Sequence, residues 1–241
     1  MVTWERYERQ LSVPGFGARA QHILQDACAA IVGCGGLGAP AALYLAAAGV
    51  GELVLIDDDL VEESNLNRHV LCQPSDVGTS KVLTVAERLK AFNPDLDVRG
   101  IPIHLDAENA RRELDGAEVV LDCLDSFEAR FALNDAALAL GIPLIHGACM
   151  GLMGRVMSVS PGKTPCLRCL YISPSEGVEC PIIGGVAGTV GCLQAMECIK
   201  ILTGVGKPMF GKLLTIDVVR NLFDITEMRR RPECSACGSL V

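Results

Sequence analysis

The stretch that decides the fold of this chain is Ala29-Ala30-Ile31-Val32-Gly33-Cys34-Gly35-Gly36-Leu37-Gly38. It joins an apolar strand to a glycine-rich loop, and an alanine-rich helical segment follows as far as residue 48. A second apolar strand at residues 53–56 ends at Asp57, about 20 residues after the last glycine. A strand, a glycine loop, a helix and an acid at the end of the next strand form the context of a Rossmann-type nucleotide site. The glycines allow the backbone to approach phosphates, and Asp57 is placed to accept hydrogen bonds from ribose hydroxyls.

The alternation of strands and helices continues up to residue 150. Helical spacing of apolar residues predicts helices at residues 80–92, 107–114 and 127–140. Further strands are predicted at residues 98–103, 119–121 and 144–146. This alternation predicts an α/β fold, with a Rossmann-like, mostly parallel sheet flanked by helices and built from right-handed crossovers.

The C-terminal third has a different pattern. It predicts a strand at residues 155–160, a turn-rich excursion at residues 161–185 and a long helix at residues 186–202. Two paired antiparallel strands are predicted at residues 212–217 and 221–225. We therefore expect a single domain over residues 1–241. Its parts are an N-terminal segment with a helical stretch (residues 5–25), a nucleotide-binding core (residues 28–150) and an irregular C-terminal region (residues 151–241).

The composition excludes several classes of protein. A net charge of −8 disfavours a general nucleic-acid binder, because such a surface would not neutralise a phosphate backbone. The N-terminus carries charge where a secretory signal needs an apolar stretch, and twelve cysteines without such a signal indicate a reducing compartment. Residues 27–51 carry no charge, but six glycines and Pro40 divide them into a strand, a turn and a helix. We expect a cytoplasmic protein with no membrane or nucleic-acid partner.

Two cations downstream of the glycine loop favour ATP over NAD. Arg68 follows Ser64-Asn65-Leu66-Asn67, a segment too polar for a core, and Lys81 lies in the first turn of a predicted helix. A cation is unfavourable at a helix N-terminus, which suggests that Lys81 meets another group, such as a phosphate. The loop and helix dipole suffice for the pyrophosphate of a dinucleotide, whereas two further cations suit a triphosphate whose charge is redistributed during reaction. An NAD-dependent oxidoreductase is the generic alternative.

Asp125 follows the fourth predicted strand, at the edge where open parallel sheets bind their ligands. Its carboxylate is a candidate for holding Mg²⁺ against a triphosphate. The alternative role is helix capping, because Asp125 or Ser126 is suited to cap the helix that begins at Phe127.

The cysteines include two CxxC pairs, Cys166 with Cys169 and Cys234 with Cys237. Four thiolates suit tetrahedral Zn²⁺ in a closed structural site, which would join the excursion to the end of the chain. An iron–sulfur cluster and a redox disulfide are the alternatives. Cys180 lies apart from these pairs in a polar stretch, where it is either a tentative acceptor thiol or a spare thiol in a loop.

These residues together resemble the ThiF/MoeB/HesA family, the bacterial relatives of ubiquitin-activating enzymes. The resemblance covers nearly the whole chain. Besides Asp57 and the CxxC pairs it includes residues 6–10 (Arg-Tyr-Glu-Arg-Gln), 33–38, 64–68, 77–81, 122–125 and 193–197.

The resemblance implies ATP-dependent adenylation of the C-terminal glycine of a small ubiquitin-like sulfur-carrier protein that ends in Gly-Gly. The implied nucleotide-binding residues are Gly33, Gly35, Gly36, Gly38, Asp57, Ser64, Asn65, Leu66, Asn67, Arg68, Lys81, Asp125 and Ser126. Asn67, Arg68 and Lys81 would face the phosphates, and Asp125 would bind Mg²⁺. The carrier carboxylate would attack the α-phosphate, and sulfur from a separate donor would then displace AMP and leave a thiocarboxylate.

The resemblance also implies a homodimer, because Arg9 is similar to the family's arginine that reaches into the active site of the partner subunit. Residues 151–241 would bind the carrier and zinc. The chain departs from the family at His69, where a glutamine is common. A relative that adenylates a carboxylate on modified tRNA and a non-catalytic scaffold with the same fold are the alternatives within the superfamily. The pathway served, such as thiamine or molybdopterin synthesis, is left open.

Overall fold

The structure is a computed structural model that describes residues 4–172 and 181–238. The strands within these residues are β1 (Cys28–Val32), β2 (Glu52–Ile56), β3 (Asp97–Ile101), β4 (Val119–Asp122), β5 (Leu144–Met150), β6 (Met153–Val159), β7 (Lys212–Asp217) and β8 (Leu222–Glu227). The α-helices are α1 (Glu8–Leu11), α2 (Gly17–Asp26), α3 (Gly38–Ala48), α4 (Lys81–Phe92), α5 (Ala110–Glu113), α6 (Phe127–Leu140), α7 (Leu167–Leu170) and α8 (Gly184–Thr203). All these strands form one sheet in the order β3-β2-β1-β4-β5-β6-β7-β8.

The first five strands form the parallel half of the sheet. β1 pairs in parallel with β2 and β4, β2 with β3, and β4 with β5. Successive residues of a strand pack on opposite faces: Ile31 and Leu55 belong to a core cluster with α3, α4 and α8, whereas Val32 and Val54 belong to a second cluster with α5 and α6. Burial on both faces explains why residues 29–32 of β1 and 53–56 of β2 are apolar throughout. Their C-terminal ends form the edge at which such a sheet binds ligands.

The remaining strands extend the sheet in antiparallel fashion. A two-residue turn that begins with Gly151, whose φ is +60°, joins β5 to β6, and β7 and β8 follow as further antiparallel neighbours. β8 lies at the sheet edge, and all of its residues are exposed. The predicted fold class, a mostly parallel sheet with antiparallel C-terminal strands, is confirmed.

Some predicted boundaries are wrong. A helix was expected at residues 107–114, but α5 covers Ala110–Glu113 alone. The Asp106 carboxylate accepts hydrogen bonds from the backbone N–H groups of Glu108 and Asn109, which holds these residues in a turn before the helix. Side-chain bonds of this kind compete with helix formation.

The hairpin and the excursion also differ from expectation. Pairing with β6 continues β5 to Met150, and β6 begins at Met153, two residues before the predicted start of 155. The excursion at residues 161–185 contains the one-turn helix α7 in addition to turns. Cys180, the tentative acceptor thiol, lies outside the described residues.

α8 is, among residues 4–172 and 181–238, the one helix that is long and apolar enough to match a membrane span. It packs against α3, β5 and β6. It also carries the buried Glu197, which accepts hydrogen bonds from the Ser158 hydroxyl at 2.8 Å and the Met209 backbone N–H at 2.7 Å. These contacts are those of a helix in a protein core. Residues 27–51 form β1, the glycine loop and α3, in agreement with the predicted division.

Candidate functional site

The candidate site lies where the glycine loop, residues 33–38, leaves β1 and enters α3. Gly33 has a φ of +90°, and a Cβ at this position would lie 2.6 Å from the carbonyl oxygen of Cys123, so the turn requires glycine. At Gly35 a Cβ would meet none of the described atoms within 4 Å. The backbone at Gly35 is therefore open to a ligand, as a loop that approaches phosphates must be.

Asp57 follows β2 and bonds to the glycine loop. Its Oδ2 accepts a hydrogen bond from the backbone N–H of Cys34 at 2.6 Å, and its Oδ1 accepts one from Asp59 at 2.9 Å. Burial raises the pKa of the Asp57 carboxyl, although Lys81 and the two N–H groups favour its ionised form. A carboxylate has about four acceptor positions, so Asp57 keeps capacity for ribose hydroxyls.

Lys81 begins α4 and is buried, and it has carboxylate partners that the sequence analysis did not identify. Its Nζ lies 2.6 Å from Oδ2 of Asp59 and 3.9 Å from Oδ1 of Asp57. Burial opposes the charge, but the two carboxylates raise the pKa of Lys81 above its usual value, so the side chain is an ammonium at neutral pH. The unfavourable position at the helix N-terminus is thus compensated within the chain, and a phosphate is not needed to explain it.

Arg68 is half-buried, and its aliphatic part lies over the glycine loop, with Cγ 3.2 Å from where a Cβ of Gly36 would be. Its Nη1 donates hydrogen bonds to the carbonyl oxygen of Ser64 and to Oδ1 of Asn67, both at 2.9 Å. Asn65 accepts a hydrogen bond from the backbone of Glu62 at 3.3 Å, which fixes the start of this segment. Arg68 has no ion-pair partner in the part of the chain that the structure describes. Its charge over the loop is therefore not neutralised there.

His69 is only 2% exposed, a degree of burial that the sequence did not indicate. Its Nε2 lies 3.8 Å from the Sγ of Cys72, and its Nδ1 has no hydrogen-bond partner among residues 4–172 and 181–238. Burial lowers the pKa of His69 to about 4, with a further contribution from Lys81. The ring is therefore neutral at neutral pH.

Asp125 and Ser126 are both exposed just after β4. The Ser126 hydroxyl oxygen accepts a hydrogen bond from the backbone N–H of Ala129 at 3.3 Å and caps α6. Ser126, and not Asp125, therefore caps the helix. Asp125 is left with an exposed carboxylate, and one such carboxylate with phosphate oxygens is a suitable ligand set for Mg²⁺.

A buried polar cluster that the sequence did not predict lies behind Asp125. Asp122 on β4 and His146 on β5 are neighbours in register and fully buried, and Oδ2 of Asp122 lies 2.6 Å from Nδ1 of His146. Arg130 and Tyr171 complete the cluster. The sequence contained one indication of this cluster: Asp122 and His146 each follow an apolar stretch at the end of a predicted strand.

Arg9 lies far from the glycine loop of its own chain. It is exposed on α1, whose neighbour Gln10 donates a hydrogen bond to the carbonyl oxygen of Ala48 at 2.7 Å. α1 thus packs at the C-terminal end of α3, whereas the glycine loop precedes the N-terminal end. The 11 residues of α3 separate these positions by about 16 Å. The structure therefore does not bring Arg9 together with Asp57, Arg68 and Lys81.

Cys166, Cys169, Cys234 and Cys237, all buried, form the four-cysteine cluster among the described residues, with sulfur atoms within 4.8 Å of one another. The Sγ–Sγ distances are 3.7 Å from Cys166 to Cys234 and 3.5 Å from Cys169 to Cys237. Tetrahedral zinc with Zn–S bonds of about 2.3 Å requires sulfur atoms about 3.8 Å apart, so these donors fit the ion. Burial opposes ionisation, but backbone N–H groups lower the pKa of Cys234 to about 7.

Comparison with known proteins places this geometry in a family. Residues 7–236 match the ThiF family. The chain is 40% identical to the SAMP-activating enzyme E1 of Haloferax volcanii over 240 residues, which is 97% of this chain and 88% of that protein. It is 39% identical to the sulfur carrier protein adenylyltransferase of Thermus thermophilus over 245 residues, which is 97% of this chain and 90% of that protein.

Solved structures show the same architecture. The crystal structure of E. coli MccB with ATP matches 98% of this chain and 75% of the MccB chain, with a TM-score of 0.88 and 27% sequence identity. A second MccB structure, with MccA-N7isoASN, matches 99% of this chain and 76% of MccB, with a TM-score of 0.89 and 26% identity.

Proposed function

The chain belongs to the ThiF family, and from this premise we propose that it is an adenylyltransferase that activates a small sulfur-carrier protein with ATP. The substrate group is the C-terminal carboxylate of a ubiquitin-like carrier that ends in Gly-Gly. The relatives from Thermus thermophilus and Haloferax volcanii, whose names describe activation of a sulfur carrier and of SAMP, support this choice. The observation that carries the proposal is the charge of Arg68, which lies against the glycine loop at Gly36 and has no ion-pair partner among the described residues, next to the open backbone of Gly35.

In the proposed reaction the carrier carboxylate attacks the α-phosphorus of ATP. A bond forms between the carboxylate oxygen and phosphorus, the bond to the bridging oxygen breaks, and pyrophosphate leaves. The glycine loop holds the phosphates with backbone N–H groups, and Asp57 accepts hydrogen bonds from the ribose. Arg68 and Lys81 stabilise the charge that develops on the phosphates, with Asn67 orienting Arg68 through the 2.9 Å bond.

Two metals belong to the proposal. Asp125 would hold Mg²⁺, which when bound neutralises phosphate charge during phosphoryl chemistry. The four-cysteine cluster would hold Zn²⁺ as a structural ion, because a closed set of four thiolates leaves no coordination position for a substrate.

We also propose that the enzyme is a homodimer in which Arg9 completes the partner's active site. The distance of α1 from the glycine loop of its own chain supports this arrangement. A separate donor would supply the sulfur that displaces AMP, because no step of the adenylation provides it. The twelve cysteines support a reducing compartment, and we propose a cytoplasmic location.

The proposal is tested by ATP–pyrophosphate exchange with a small carrier that ends in Gly-Gly. Exchange is expected with ATP, Mg²⁺ and the carrier together, and it should be lost with a matched carrier that lacks the last two glycines. Isothermal titration with ATP and NAD checks the nucleotide. Tight NAD binding without ATP binding, or exchange that requires a tRNA in place of the carrier, would overturn the proposed function.

A further inference from the structure

Three buried polar side chains and the half-buried Tyr171 connect the candidate magnesium ligand to the four-cysteine cluster. Asp122 and His146 are fully buried, and Arg130 is 7% exposed. Burial of charged groups is costly unless each of them has partners, so this cluster is expected to have a role. The proposed adenylation mechanism does not use any of these side chains directly.

The contacts of Asp122 and His146 indicate which of these two side chains carries the proton between them. The pKa of Asp122 lies below its usual range because Arg130 and His146 outweigh the opposing effect of burial, and its ionised carboxylate can only accept hydrogen bonds. The proton therefore lies on Nδ1 of His146, 2.6 Å from Asp122. Burial lowers the pKa of His146, so the ring is neutral and its Nε2 accepts a hydrogen bond from the hydroxyl of Tyr171 at 3.0 Å. Burial raises the pKa of the Tyr171 hydroxyl, and the positive charges of Arg130 and Arg155 oppose this effect.

The other end of this chain of bonds holds the turn that carries Asp125. Oδ1 of Asp122 accepts a hydrogen bond from the backbone N–H of Leu124 at 3.1 Å. Arg130 donates to the carbonyl oxygen of Leu124 and, at 3.2 Å, to that of Gly147. Both backbone groups of the residue before Asp125 are thus fixed by the buried cluster.

Tyr171 connects the cluster to the cysteine side of the molecule. It follows α7, the helix between Cys166 and Tyr171, and its ring contacts Phe127 edge-on with 4.9 Å between centroids. α7 is itself held by Arg168, which forms an ion pair with Asp135 at 2.7 Å. The position of the Tyr171 hydroxyl is therefore set by elements that pack around the four-cysteine cluster.

We propose that Asp122, His146 and Tyr171 form a positioning relay that holds the Asp122–Asp125 turn in the geometry needed to bind Mg²⁺ with ATP. The relay residues do not touch the reacting atoms. They act through Leu124, whose backbone they fix, on the carboxylate of Asp125. The proposal rests on the proposed function, because it assigns to Asp125 the binding of Mg²⁺·ATP.

The test replaces Tyr171 with phenylalanine, which keeps the ring on Phe127 and removes only the hydroxyl. The matched control is Tyr44→Phe, since Tyr44 is exposed on α3. The dissociation constant of ATP is measured by isothermal titration with Mg²⁺ and again with EDTA in place of Mg²⁺. Tyr171→Phe should weaken ATP binding about fivefold to tenfold with Mg²⁺ and less than twofold without it, as expected for the loss of one hydrogen bond in a buried network. Tyr44→Phe should change neither constant.

A second readout separates the relay from a general loss of stability. In ¹H NMR the Nδ1 proton of His146 should give a resonance far downfield because of its short bond to Asp122. This resonance should move when Mg²⁺·ATP is added to the wild type and should move less in Tyr171→Phe. Equal magnesium-dependent ATP affinity in wild type and Tyr171→Phe would overturn the relay alone. Failure of the wild type to bind ATP at all would overturn the proposed function and the relay with it.

Discussion

The glycine-loop edge and the four-cysteine cluster use polar residues in opposite ways. At the edge, Arg68 is half-buried and Asp125 exposed, and neither has an ion-pair partner within residues 4–172 and 181–238. In the cluster, thiols such as Cys166 and Cys237 are fully buried and face one another. Charges without partners are available to a ligand from solution, whereas a closed thiol set serves the stability of the fold. Substitutions in the two regions should therefore separate loss of activity from loss of stability.

The largest effect is expected in the cysteine cluster. Cys166→Ser should lose the metal and lower the free energy of unfolding by about 4 kcal/mol or more, because the binding energy of a structural zinc is also folding energy. Metal analysis and urea denaturation of the reduced protein measure both quantities. Cys192→Ser is the control, since Cys192 is partly exposed on α8 and outside the cluster. Iron, or an absence of metal in freshly purified wild type, would contradict the assignment of zinc.

The second effect concerns activity at the edge. Arg68→Ala should lower the rate of pyrophosphate exchange about a hundredfold, because one preorganised charge is removed from the transition state. Its free energy of unfolding should change by less than about 0.5 kcal/mol, since no carboxylate loses a partner. Lys81→Ala should reduce both activity and stability, because Asp59 loses its ion pair. The control is Arg99→Ala, because Arg99 lies on β3, a strand at the edge of the sheet. A normal exchange rate in Arg68→Ala would show that Arg68 is not part of the active site.

The third prediction concerns the pH dependence of stability at His69, which follows Arg68 directly in the chain but is buried. Its folded pKa of about 4 is below the unfolded value near 6.5, so the unfolded chain binds more protons at pH 5 and stability falls as the pH drops below about 6.5. The loss attributable to His69 between pH 8 and pH 5 is about 2 kcal/mol. His69→Gln should reduce the pH dependence by that amount in denaturation experiments, while the contribution of His146 persists in both proteins. Parallel pH profiles for the two proteins would show that His69 is not buried as described.

The centre of the parallel half could be predicted from the sequence because β1, β2 and β4 are buried on both faces. A run such as residues 53–56 has no polar position, so its length and its flanking turns define a buried strand. The glycine loop could also be predicted, because its tight turn requires glycine: Gly33 has a φ of +90°, and a Cβ at Gly38 would overlap the carbonyl oxygen of Gly33. α5 could not be delimited, because the side chain of Asp106 competes with the helix for backbone N–H groups.

The electrostatic pairing within the site could not be predicted. Asp57, Asp58 and Asp59 are alike in sequence, but the nearest partner of each carboxylate is different. Asp57 accepts from the loop, Asp59 pairs with Lys81, and Asp58 lies 3.3 Å from His104. These differences depend on the path of the backbone after β2, which residue types do not determine. For the same reason the sequence shows that Asp122 and His146 are present but does not predict that they are in contact.

The smallest expected effect tests whether the edge is completed by a second subunit. Arg9→Ala and Arg68→Ala chains should each be nearly inactive alone, because every active site of either homodimer lacks one arginine. Mixed under conditions that allow subunit exchange, about half of the dimers should be heterodimers, each with one intact site, so activity should recover to roughly a quarter of the wild-type rate. The position of α1 at the far end of α3 is the reason for expecting complementation. Mixing Arg9→Ala with itself is the control for the exchange conditions. If Arg9 instead served its own chain, each site of the heterodimer would lack one arginine and no activity would return; a fully active monomer would equally contradict the shared site.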